Sequence, residues 1–223
     1  MIYRVNVYQF FSSMRDHILR IQEAEEIKGL WKTTVILILL SMFVYGWMAY
    51  VGMGKDHLSK QVTQIGLISY EQTKFWFLVG RVCFGLLFAL FFMFMVPLIL
   101  FGLTDIPYKK LMILGQAVLT VLLCERIIWI PLFVYAGLDW SVSPFSLGII
   151  ASYMTDIPWL ISFFGAISVF QALVIWLQVK FIKSLSTIKY RLVWLSMILL
   201  HIFYWLLAAF IVYLDAAFLG GVM

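Results

Sequence analysis

The chain has 223 residues, of which 64% are hydrophobic and only 12% are charged, and its mean hydropathy is +1.02. Soluble domains are roughly half apolar and a quarter charged, so this composition excludes an ordinary soluble protein and predicts a polytopic membrane protein. The net charge of +5 does not indicate nucleic-acid binding, because the basic residues stand beside apolar segments and are expected to face anionic lipids of the bilayer.

The sequence pattern of residues 1–32 predicts a cytoplasmic amphipathic segment that precedes the membrane domain. Apolar residues recur there at helical spacing, and charged residues occupy the other faces. The pattern is typical of a helix that lies in the membrane interface, and it leaves two interpretations open: an elbow into the first span, or a docking helix for a partner. The candidate docking surface comprises Phe10, Phe11, Met14, Arg15, Ile18, Arg20 and Ile21.

Residues 33–223 predict a membrane domain of five spans, since each crossing needs about 20 apolar residues. The predicted spans cover residues 33–53, 75–103, 111–137, 157–179 and 192–214. Pro97 predicts a kink near the end of the second span. Residues 138–156 are expected to form an interfacial or re-entrant segment. The predicted fold class is therefore all-α: a polytopic membrane helix bundle with five transmembrane helices, preceded by an amphipathic interfacial helix.

The basic residues near the span ends predict the orientation of the chain. Eleven of them fall on one side of the predicted spans, and only Lys55, Lys60 and Lys74 flank the other side. Because cytoplasmic loops carry the excess of Lys and Arg, this bias predicts a cytoplasmic N-terminus and, after five spans, an external C-terminus.

Two adjacent charges lie at the centre of the third predicted span. Glu125 is about 22 Å along the helix from Lys110 and about 21 Å from Asp139, which places it near the bilayer midplane. A charge at that depth costs roughly 3 to 15 kcal/mol, so Glu125 and Arg126 are expected to face protein or trapped water. The predicted intramembrane polar cluster comprises Arg81, Glu125, Arg126, Gln171 and His201, with Glu125 paired to Arg81.

This cluster has two open interpretations. It is either an anion, proton or lipid-headgroup site, or an internal staple that holds the helices in register. His201 is likewise either a packed, hydrogen-bonded histidine or a proton relay. Cys83 and Cys124 both fall in apolar segments and are expected to be buried thiols.

The motifs of the common hydrolases and nucleotide-binding proteins are absent from the sequence. It contains no His-Glu-x-x-His, no Gly-x-Ser-x-Gly and no glycine-rich phosphate loop. The three histidines stand far apart, at positions 17, 57 and 201. We therefore predict no catalytic residues, no metal and no cofactor, and we do not expect an enzyme.

The segment from Gly102 to Gln116, with Tyr108 and the basic pair before a helix start rich in small residues, resembles the Yip-domain (Ypt/Rab-interacting protein) family. The predicted layout of five close-set spans is similar as well. The region around Thr120 lacks a proline that family members often have, and the N-terminal region is shorter than in eukaryotic relatives, so the resemblance implies a bacterial member in the cell membrane.

The resemblance implies a non-enzymatic accessory or scaffold protein that binds other membrane proteins. The partner it implies is an ABC-type exporter subunit or a GTPase-linked trafficking factor. The alternative is a small transporter or permease subunit, which would move an anion or a lipid through the charged interior of the bundle.

Overall fold

The structure is a computed structural model that describes residues 2–54, 67–137 and 142–219. This part of the chain is almost entirely helical and forms two compact units, Met1–Gly137 and Leu138–Met223. Four described helices are long and apolar enough to cross a membrane: Leu30–Tyr50, Ile68–Leu103, Tyr108–Ala136 and Tyr190–Leu214. The predicted helical membrane protein is confirmed at this level, with four candidate spans among the described residues rather than five.

Residues 2–28 form a small β-α-α-β arrangement, which we call the N-terminal module. Its elements are β1 (Ile2–Arg4), α1 (Val7–Ser12), α2 (Met14–Glu23) and β2 (Glu26–Lys28). The two strands pair in parallel, and α1 and α2 supply the crossover that parallel pairing requires. Asn6 caps α1 by accepting a hydrogen bond from the Gln9 N–H at 3.2 Å. The prediction of one amphipathic helix was therefore incomplete, because two strands flank it and Ser13 divides it.

The other described elements of the first unit are α3 (Leu30–Tyr50), α4 (Leu67–Leu90), a π-helical turn (Phe91–Met95), α5 (Val96–Leu103) and α6 (Tyr108–Ala136). Helices α3 and α4 run antiparallel and make the most extensive contact among the described elements. Gly85 permits this approach, since a Cβ there would lie 2.9 Å from the Ser41 carbonyl oxygen. The Ser41 hydroxyl donates to the Gly85 carbonyl oxygen at 2.7 Å, which joins the two helices at the contact.

The predicted kink at Pro97 takes the form of the π-helical turn. Proline lacks a backbone N–H, so the regular hydrogen-bond ladder is interrupted one turn before it, and the Val96 N–H donates to the Phe91 carbonyl five residues back. The Tyr108 hydroxyl donates to the Phe94 carbonyl at 3.2 Å. Helix α6 packs against the turn through Gly115, which has no side chain to separate the backbones.

The second unit contains α7 (Gly148–Met154), α8 (Pro158–Gly165), α9 (Val169–Leu185) and α10 (Tyr190–Leu219). The prediction of one continuous helix over residues 157–179 was wrong, because residues 166–168 leave the helical conformation. There the Ile167 carbonyl accepts from the Leu147 N–H at 3.0 Å, and the Val169 N–H donates to the Phe145 carbonyl at 3.1 Å. Helices α8 and α9 both pack against α10.

The contact at Gly115 predicts a strong effect of a single methyl group. In Gly115→Ala the new Cβ would lie 2.7 Å from the Phe92 carbonyl oxygen, so we expect a loss of about 1 to 3 kcal/mol in stability. Gly80→Ala is the control, because nothing lies within 4 Å of its Cβ position and alanine favours the helix. Thermal unfolding in mild detergent measures both. Equal melting temperatures for the two variants would contradict the close contact.

Candidate functional site

One buried polar region of the first unit is organised around the Tyr45 side chain of α3, which is 3% exposed. Arg126 from α6 donates a hydrogen bond to the Tyr45 hydroxyl. Arg81 from α4 lies near enough to interact electrostatically with both Tyr45 and Arg126. Three helices thus contribute charged and polar side chains that interact electrostatically, and we call Tyr45, Arg81, Glu125 and Arg126 the tyrosine–arginine cluster.

Each guanidinium group of this cluster has an aromatic face beside it. The Arg126 Cζ lies 4.9 Å from the Trp129 ring centroid, and the Arg81 Cζ lies 5.5 Å from that of Phe77. Arg81 Nη2 also donates to the Met53 carbonyl oxygen at 3.2 Å. Met53 stands between two glycines with positive φ, in the turn that ends α3. These contacts compensate part of the cost of removing the two charges from water.

The predicted polar cluster is divided between the two units. Arg81, Glu125 and Arg126 belong to the first unit, whereas Gln171 and His201 belong to the second. Glu125 is 3% exposed and acts electrostatically on Tyr45. Its pairing with Arg81 stays a prediction.

Sequence reasoning missed Tyr45, because an apolar helix that contains two tyrosines looks ordinary. A signal was nevertheless present in the spacing of the polar residues. Thr34, Ser41 and Tyr45 are separated by seven and four residues, so they share one helical face, and all three are buried. Polar side chains on one face of a membrane helix indicate the side that contacts other helices.

The two predicted site residues of the second unit, His201 and Gln171, make contacts with residues close to them in the sequence. His201 Nδ1 donates to the Met197 carbonyl at 3.0 Å, one turn earlier in the same helix. Its ring packs against Tyr204 and Trp205. Gln171 is half-buried, and its backbone N–H donates to the Ser168 hydroxyl that caps α9. The contacts of His201 are those of a packed histidine.

The two cysteines differ from their prediction. Cys83 and Cys124 are both free, but their side chains are exposed on the outside of the chain rather than buried within it. Apolar sequence around a residue does not decide between these positions, because both the lipid-facing and the protein-facing sides of a span are rich in apolar residues. The prediction of buried thiols was therefore wrong for both residues.

The N-terminal module uses most of its apolar face for its own packing. Phe10 and Ile18 are each 2% exposed and Ile21 is fully buried, so these three do not belong to an accessible docking surface. Helix α1 packs against α6, and Phe10 lines a small cavity there together with Ile113 and Ala117 of α6. Of the other predicted surface residues, Phe11, Arg15 and Arg20 are exposed and Met14 is half-buried.

Two further contacts hold the beginning of the chain against α6. The Lys110 ammonium group donates to the Gln22 carbonyl at 2.8 Å, which joins α6 to the end of α2. Gln116 Nε2 donates to the Leu30 carbonyl at 3.0 Å and to the Thr34 hydroxyl at 2.9 Å. The module, α3 and α6 are therefore connected at the end of the unit where α3 and α6 begin.

A buried pair inside the module contains its one histidine. The Tyr3 hydroxyl and His17 Nδ1 are hydrogen-bonded at 3.1 Å, and both side chains are buried. Burial raises the pKa of Tyr3 to about 12. Burial, and then the positive charge of Arg20, lower the pKa of His17 below its usual 6.5, while Asp16 acts weakly in the opposite direction. His17 is consequently neutral in the folded module at neutral pH.

Among the described residues, no group of three or more His, Cys, Asp or Glu side chains could hold a metal ion. No protein-family model, curated protein or solved structure matches the chain. The resemblance to the Yip-domain family, and the roles that it implies, stay predictions.

The tyrosine–arginine cluster predicts a specific effect of one hydroxyl group. Tyr45→Phe removes the acceptor of the Arg126 hydrogen bond, and a bond to a charged group contributes about 1.5 to 3 kcal/mol. We expect a lower melting temperature in detergent. Tyr135→Phe, on the same helix as Arg126, is the control because Tyr135 is 89% exposed. The same melting temperature for both variants would show that the bond does not stabilise the bundle.

The module predicts a loss of stability in mild acid. Because the pKa of His17 is lower in the folded chain than in the unfolded chain, its contribution is complete above pH 6.5 and declines as the pH falls toward the folded value. Hydrogen exchange of β1 and α2 should therefore be faster at pH 5.5 than at pH 7.5, after correction for intrinsic rates. His17→Gln should abolish the difference, and its persistence in that variant would contradict the assignment.

Proposed function

We propose that the chain is a non-enzymatic integral membrane accessory or scaffold protein of Yip-domain type, which binds other membrane proteins. The observation that carries this proposal is the outer face of the N-terminal module. Tyr8, three residues before Phe11 in α1, is 84% exposed, and Arg15 and Leu19 are exposed one turn apart in α2. Tyr, Phe and Arg are enriched at protein interfaces and supply most of their binding energy.

The proposed topology places this face in the cytoplasm of a bacterial cell. The positive-inside rule supports this, because Lys28, Lys32, Lys109 and Lys110 stand at the end of the first unit that carries the module. We further propose that α8 and α9 form a fifth, interrupted crossing beside α10. Five crossings give an external C-terminus.

A second candidate function is transport of an anion or a lipid. It is favoured by the tyrosine–arginine cluster, in which Arg81 and Arg126 both act on the hydroxyl of Tyr45 within the candidate spans. Ionisable side chains at membrane depth are costly, and they commonly mark substrate paths or proton relays.

The first test is purification of the full chain from its native membrane in mild detergent after crosslinking, with identification of bound proteins by mass spectrometry. We expect another membrane protein to co-purify specifically, and an exporter subunit or a GTPase-linked factor would identify the assembly. The variant Tyr8→Ser with Arg15→Glu should retain at least tenfold less of it, since central interface residues contribute about 2 kcal/mol or more each.

The matched control is Tyr153→Ser with Lys189→Glu, which removes an equally exposed tyrosine and changes the charge by the same amount elsewhere. Equal recovery of the partner protein with both variants would contradict binding at the outer face of the module. A chain that purifies alone would contradict the accessory function. In that case, anion flux in reconstituted vesicles that Glu125→Gln abolishes without a loss of detergent stability would support the second candidate.

A further inference from the structure

A cleft of about 550 Å³ lies where the N-terminal module meets the beginning of α3. Three basic residues line it: Arg4 at the end of β1, Lys28 at the end of β2 and Lys32 in the first turn of α3. Among the described residues that line the cleft, none is a carboxylate. The described lining of the cleft is therefore positively charged, and the nearest acidic residue of β2, the exposed Glu26, stands outside that lining.

The register of the parallel sheet brings two of these charges together. Arg4 stands directly opposite Lys28, and both side chains are exposed. Side chains in such a pair start about 5 Å apart on one face of the sheet, where like charges are destabilising. An anion between them would add two attractions that offset this repulsion.

Gly29 brings the third charge to the same cleft. Its φ of +83° lies in the left-handed region that glycine adopts readily, and it turns the chain from β2 directly into α3. Lys32, four residues after Lys28, then lies in the first turn of α3. Helix α3 begins without a side-chain hydrogen bond at its cap, so its first N–H groups add to the positive field of the three side chains.

The other end of the cleft is apolar. Ile36 lies one helical turn beyond Lys32 on the same face and is 53% exposed, and Leu37 forms part of the wall. Both residues belong to the candidate span Leu30–Tyr50, so this wall continues toward the hydrocarbon of the bilayer. A cationic end and an apolar end in one cleft fit an amphiphile, whereas a free phosphate ion would leave the apolar end uncovered.

We propose that this cleft binds an anionic phospholipid. Arg4, Lys28 and Lys32 hold its phosphate group, and one acyl chain lies along Ile36. The bound lipid joins the sheet of the module to the first span and relieves the repulsion between Arg4 and Lys28. The site does not depend on the proposed accessory function, because none of its residues belongs to the outer face of the module.

The test uses the full chain, purified in mild detergent and titrated with lipid under native mass spectrometry. We expect phosphatidylglycerol to bind at least tenfold more tightly than phosphatidylcholine with the same acyl chains, because only the former has a net negative charge. The triple variant Arg4→Gln, Lys28→Gln, Lys32→Gln should bind phosphatidylglycerol about 100-fold more weakly, since each basic residue at a membrane surface contributes about fivefold.

The matched control is Arg15→Gln, Arg20→Gln, Lys109→Gln, which removes three exposed positive charges outside the cleft. We expect this variant to bind phosphatidylglycerol as the wild-type chain does. Equal weakening in both triple variants would overturn the site and indicate a diffuse effect of surface charge. Equally effective competition by inorganic phosphate or glycerol phosphate would overturn the assignment of a lipid.

Melting temperatures without added lipid show whether the variants fold. If the triple variant is unstable, two single variants are compared instead. We expect Lys32→Gln to bind phosphatidylglycerol about fivefold more weakly than the wild-type chain, and Lys109→Gln to bind it as the wild-type chain does. Unchanged binding by Lys32→Gln would then overturn the site. A variant that loses the co-purifying protein but binds lipid normally would bear on the proposed function alone. A variant that loses lipid binding but keeps the co-purifying protein would bear on the lipid site alone.

Discussion

The need of two guanidinium groups in the candidate spans for polar partners constrains the arrangement of the first unit. Arg81 and Arg126 lie within candidate spans, where a charge without fixed polar partners is very costly. The unit supplies these partners from α3: the Tyr45 hydroxyl for Arg126 and the Met53 carbonyl for Arg81. Both partners are usable only if α3 lies close to α4 and α6, and Gly85 permits the close approach of α4 to α3.

The two ends of α3 are thus specialised in different ways. At its end, the turn through Met53 receives Arg81. At its beginning, the Leu30 carbonyl and the Thr34 hydroxyl receive the Gln116 amide, and Gly29 connects α3 directly to the sheet of the module. Polar contacts at both ends hold this span to its neighbours. Such contacts matter in a bilayer, because apolar burial gives little drive for helices to associate in lipid.

The N-terminal module has an inner and an outer surface with different roles. The inner surface, with Phe10, packs against α6 and closes the module. The outer surface keeps aromatic and arginine side chains exposed, and the edge near α3 collects three cations over an apolar wall. The proposed protein contact and the proposed lipid contact therefore use different residues.

The sequence by itself determined the composition class, four of the apolar helices, the distortion near Pro97 and the presence of charges at mid-span. These features depend on the apolar character of neighbouring residues or on the missing N–H of proline, both of which are local. Tertiary structure alone decided the break between α8 and α9, because residues 145–147 compete for the backbone groups of residues 167–169. It also decided the burial of Phe10, Ile18 and Ile21, since an amphipathic pattern shows that a face is apolar but not whether lipid or protein covers it. The role of Tyr45 likewise arises only when α3, α4 and α6 meet, because its partners come from residues far away in the chain.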